Sequence, residues 1–218
     1  MKKSTTLSTL LLALALVACG KQENVKISAS TTPVVETALP AAYTDYIKSS
    51  QFPTGQLKDS KRLEGIKQAL STLLKKDAAQ IIIANKATFF DDGRVNLIVI
   101  DKDKKPMVAT EYSYYNDVWN KSKELKVKAN LPLNDLTMPL SELDFAAAQQ
   151  ALLKTAEKAA SIPNSKLHSY VNFILFSKDF KRGWVGILKA GTTVHEIRFD
   201  QQLNYIDTHS FEPTELSL

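Results

Sequence analysis

The chain has 218 residues, 44% hydrophobic and 23% charged, with 28 lysines and arginines, 23 aspartates and glutamates, one cysteine and seven glycines. Such fractions belong to a globular chain and exclude a disordered or collagenous one. A single cysteine excludes a disulfide framework and a cysteine-rich metal site, and the three histidines (His168, His195 and His209) are too scattered to suggest a metal cluster.

The chain opens Met1-Lys2-Lys3 and continues from Leu7 to Ala18 with Ser8 and Thr9 as the only polar residues. A basic start before a dozen mostly apolar residues reads as a secretory signal, since a spanning helix needs about 20 apolar residues. The run ends Leu16-Val17-Ala18-Cys19-Gly20. This resembles the lipobox of bacterial lipoproteins. The resemblance implies cleavage before Cys19 and a diacylglycerol plus an acyl chain on that residue, and several chains anchor far more firmly than one. Removal of residues 1–18 takes two lysines with it, so a formal charge of +5 falls to +3 on 200 residues. That surplus is too small to argue for nucleic acid. Gly20 in place of an aspartate resembles the outer-membrane sorting pattern, so a Gram-negative source implies an outer-membrane protein facing the periplasm.

Residues 19–40 are polar and aperiodic and read as a lipidated tether. A short helix over 41–50 follows. Leu63, Ile66, Leu70, Leu73 and Leu74 recur at helical spacing and predict an amphipathic helix over 60–76. Strands are expected at 80–90, 94–100, 107–114 and 124–129, with turns at Asp91-Asp92-Gly93 and within Asp101 to Lys105. A proline-bearing joint over 130–139 leads to a second helix over 141–160, with Ser141 and Asp144 at capping-box spacing and Leu140 set to staple against Phe145. Strands then read at 169–176, 183–189, 192–200 and 204–209. The order of elements in the two halves predicts an α+β fold of two tandem helix-plus-antiparallel-sheet units packed as one body, 41–130 and 131–218.

The segment Val194-His195-Glu196-Ile197-Arg198-Phe199-Asp200 with Gln201-Gln202-Leu203-Asn204-Tyr205-Ile206, preceded by Gly183-Trp184-Val185-Gly186-Ile187-Leu188, resembles the end of a PepSY-type repeat. Asn204 stands where that pattern has glycine, and asparagine tolerates the left-handed conformation such a turn needs. The resemblance to PepSY-like and β-lactamase-inhibitor-like envelope domains implies a non-catalytic binding module and carries over no functional residue.

Catalytic signals are sparse. His195 alternates with Ile197 and Phe199 on one strand face, which suits packing better than catalysis. No Gly-x-Ser-x-Gly elbow accompanies the histidines. Asp101-Lys102-Asp103-Lys104-Lys105 departs from a calcium loop and reads as a charged hairpin turn. Lys121, Lys123, Lys126 and Lys128 suit a solvated edge strand or an acidic contact. Tyr112, Tyr114, Tyr115 and Trp119 suit an interface or a core equally.

The expected function is a membrane-anchored envelope lipoprotein acting as a binding or accessory module, needing no cofactor or metal beyond the lipid on Cys19. Its partners are the membrane through the anchor and an envelope protein. The alternatives are an envelope enzyme with a scattered site including His168 and His195, or a carrier of hydrophobic ligands.

Overall fold

The computed structural model describes residues 38–51, 54–127, 133–177 and 180–213. The expected signal peptide, Cys19, the tether up to residue 37 and Lys128 lie outside the described residues. The elements run α1 (Ala41–Ser49), α2 (Ser60–Leu74), β1 (Ile82–Phe90), β2 (Val95–Asp101), β3 (Val108–Tyr115), β4 (Val118–Lys126), α3 (Leu133–Leu136), β5 (Thr137–Pro139), α4 (Ala147–Lys158), β6 (Lys166–Ser177), β7 (Phe180–Ala190), β8 (Thr193–Phe199) and β9 (Tyr205–Phe211).

These strands form one antiparallel sheet in the order β4-β3-β2-β1-β6-β7-β8-β9, with the short β5 also paired to β1. The expectation of an α+β fold is thereby corrected. The fold is β-rich, its helices are short, and no second sheet packs against the first among the described residues. The reason lies in β1 and β6. Lys86 to Phe90 pair with Tyr170 to Ile174, so each strand covers the backbone edge of the other. Separate units would leave both edges bare, with N–H and C=O groups open to unwanted pairing.

One face of the sheet carries the core. Leu63, Ile66 and Leu70 of α2 and Ala148, Leu152 and Ala156 of α4 pack in one cluster with Phe89, Leu97, Tyr112, Phe173, Trp184, Ile197 and Phe199. Phe89 meets Phe145 edge-on at 4.9 Å and Phe173 meets Trp184 at 5.1 Å, the offset geometry that aromatic quadrupoles favour. Leu73 departs from the expected stripe and is half exposed. Asp59 caps α2 by accepting from the Arg62 N–H at 2.9 Å.

Several boundaries shift for local reasons. Asn116 and Asp117 both have positive φ, 51° and 61°, as the tight hairpin turn of primed type requires. β4 therefore begins at Val118, directly after β3, rather than near 124. α4 begins at Ala147 rather than 141, because residues 140–142 form a single 3₁₀ turn. The Asp144 carboxylate then accepts from the Ala146 N–H at 2.9 Å. In the turn before β9 the left-handed residue is Leu203, φ 64°, and not Asn204. Asp200 holds Asn204 through its N–H and Nδ2, each at 2.8 Å.

Candidate functional site

Because strand side chains alternate, each residue flanking the core positions points away from the helices. Phe90, Asn96, Ile98, Glu111, Tyr170, Asn172, Val185, Ile187, Glu196 and Arg198 thus share the open face. At its centre, where β1 meets β6, the Thr88 hydroxyl donates to Asn172 Oδ1 at 2.7 Å, with both residues buried. Beside them lies a hollow of 270 Å³ lined by Lys86, Thr88, Phe90, Glu111, Tyr170 and Asn172, among others.

Aromatic and charged groups surround this pair. The rings of Phe90 and Tyr170 stand 5.5 Å apart. The Arg94 guanidinium lies 4.4 Å above Phe90, and its Nε donates to Asp92 at 2.8 Å. His168 packs edge-on to Tyr170 at 5.7 Å. Further along the sheet, Val185 and Ile187 are buried against Tyr170, Ile174 and Val194. Arg198 reaches Glu196 at 2.9 Å and Asp207 at 3.9 Å.

The electrostatics follow from partial burial. Burial lifts the Tyr170 hydroxyl above its ordinary value, aided by the Glu196 charge, so it stays a neutral donor. Burial, with Lys189 nearby, pushes His168 below its ordinary value, so its ring is neutral at physiological pH. A neutral tyrosine and an arginine stacked on phenylalanine are the residue types that anchor protein interfaces.

The residues singled out from sequence distribute differently. Tyr112 and Tyr114 are buried on the helix side. Trp119 packs on Tyr114 at 5.4 Å and donates its indole N–H to the Ile66 carbonyl at 2.9 Å. Only Tyr115, 56% exposed, remains available for contact, so the four do not form one surface. His195 faces the helix side opposite Leu188 and bonds Ser210 at 2.7 Å. His168 lies on the other face, in a hollow lined by Lys166, Ser169 and Lys189 but no carboxylate. The scattered pair is therefore not brought together. Among the described residues no three His, Cys, Asp or Glu side chains gather as a metal set, and no helix is long and apolar enough to cross a membrane.

A larger hollow of 960 Å³ lies between α1 and the segment following α4, bordered by Tyr46, Ala156, Ile162 and Pro163. It is an open groove with Asp45, Glu157 and Lys166 also in its lining, whereas the smaller hollow on the open face combines a buried hydrogen-bonded pair with aromatics. Neither has the enclosed apolar wall of a lipid cavity. No family model, curated protein or solved structure matches the chain.

The open-face residues lie outside the densest aromatic run of the sequence, Tyr112 to Trp119. The signal was the phase: Phe89-Phe90 cannot both face the core of one strand, and Tyr170 and Asn172 alternate with Val171 and Phe173.

Proposed function

We propose that the protein is a lipid-anchored envelope lipoprotein that binds a polypeptide partner on the open face of its sheet, without catalysing a reaction. The observation that carries the reading is the Phe90–Tyr170 pair beside the buried Thr88–Asn172 hydrogen bond. It sits on the face that α1, α2 and α4 leave uncovered. Tyrosine and phenylalanine there offer large contact area at small entropic cost, and Arg94, stacked on Phe90 and held by Asp92, is pre-set for directional contacts. Lys86 and Glu111 at the rim set orientation more than affinity.

Cys19 supplies the anchor in this reading. The likeness of 183–206 to PepSY-type repeats agrees with a binding role.

Photo-crosslinking in intact envelopes tests it. A photoreactive residue at position 170 of the full chain is expected to give a discrete protein adduct. The same residue at Gln68, exposed on α2, is expected to give none. Equal adducts from both positions, or none from 170, would overturn the assignment to this face.

A further inference from the structure

The two outer edges of the sheet are built differently. β4 carries Lys121, Lys123 and Lys126 along an exposed strand and has an irregular register against β3 between Thr110 and Tyr112. Charge and local twist of that kind protect an edge from pairing. β9, Tyr-Ile-Asp-Thr-His-Ser-Phe, is exposed along its whole length and contains no lysine and no proline. Its irregularity lies at the first end, between Arg198 and Phe199 of β8, which leaves Asp207 to Phe211 in regular pairing with β8. Among the described residues no strand covers its outer side. Ile206 and Phe211 are exposed hydrophobics on this edge.

We propose that β9 pairs antiparallel with β9 of a second copy of this chain, about a two-fold axis at Thr208. An antiparallel two-fold pair must place one residue opposite itself. Centring on Thr208 sets Asp207 of each copy opposite His209 of the other, and Ile206 opposite Ser210. An imidazole N–H donates to a carboxylate whichever charge state the ring holds. Centring on Asp207 would oppose two carboxylates. Centring on His209 would set Asp207 against Phe211. One register is therefore complementary and its neighbours are not, which is how a strand edge specifies its partner.

Asp207 and His209 project from the open face, where Arg198 and Glu196 of β8 lie beside them. A two-fold axis normal to the sheet keeps both open faces on the same side, so the pair makes one continuous surface. The inference does not depend on what that surface binds.

Cysteine cross-linking of the full chain in its own membranes tests the register. In a strand pair, opposed Cα atoms lie about 4.5–5.5 Å apart, within disulfide reach. Under mild oxidation, Thr208→Cys is expected to give a disulfide-linked homodimer. Ile206→Cys, Ser210→Cys and the unsubstituted chain are expected to give none. In the Thr208→Cys background, His209→Asp is expected to abolish the dimer, and the exchange Asp207→His with His209→Asp to restore it. No homodimer from Thr208→Cys, equal yield from positions 206 and 210, a cross-link to a different protein instead, or a yield indifferent to His209→Asp would each overturn the proposal.

Discussion

Thr155 of α4 lies so close over Gly186 of β7 that a Cβ at position 186 would occupy the space of the threonine side chain. The Thr155 hydroxyl is itself committed, donating to the Ala151 carbonyl at 2.7 Å within a fully buried helix face. The Thr155 side chain rests directly on the β7 backbone here, and the glycine is what permits it.

Gly186→Ala should therefore destabilise the body by about 1–3 kcal/mol through overpacking. Thr155→Ala in the same chain should recover part of that loss, because it removes the methyl and hydroxyl that the new Cβ meets. Urea unfolding of the two single variants and the double variant measures the coupling. Strict additivity would show that the contact is not the cause.

The Thr88–Asn172 bond ties the sheet at its middle. Thr88→Val leaves a buried amide without its partner and should cost about 1–2 kcal/mol. Replacing both residues with apolar ones should cost less than the single changes sum to, because no polar group is then stranded. The same denaturation series reads it.

Asp91 is fully buried between three segments. Its carboxylate accepts from the Tyr43 hydroxyl of α1 at 3.2 Å and from the Gly55 N–H at 2.9 Å. Burial outweighs these bonds and holds the carboxyl above its ordinary range. The folded state thus retains a proton that the unfolded chain has already released. Stability should fall as pH rises from the ordinary carboxylate value through the raised one. Asp91→Asn should flatten that slope, while Asp91→Ala should cost about 2 kcal/mol or more by stranding two donors. Thermal unfolding across the acid range separates the two variants.

If Cys19 carries the lipid, Cys19→Ala should move the protein from the membrane to the soluble fraction and abolish labelling by a fatty-acid analogue. Membrane retention without label would contradict the anchor.

Local chemistry was legible where it acts locally. Asp91-Asp92-Gly93 read as a turn, and Gly93 takes φ 88° there. The apolar spacing of α2 located its buried residues Leu63, Ile66 and Leu70. The turn at Asn116-Asp117 is masked in the sequence by the aromatic run around it, which continues the strand pattern. The union of β1 with β6 has no local signature at all. Thr88 and Asn172 are 84 residues apart, and only three-dimensional packing decides that two first strands should pair. The candidate face inherits that difficulty, since its central residues come from both sides of the union.

That union also orders events in time. Every other neighbouring pair in the strand order joins consecutive strands of a meander, so the contacts close over short loops. The β1–β6 pair instead closes a loop that contains a whole meander and α4, and long loops are slow to close. During synthesis from the N-terminus, the Lys86 to Phe90 stretch of β1 waits with an unpaired side until β6 exists, since β5 covers only Ile82 to Ala84. The folding rate of the whole body should then be governed at this seam, and substitutions at Ala87, Phe89, Val171 or Phe173 should slow refolding more than equally destabilising ones in β8 or β9.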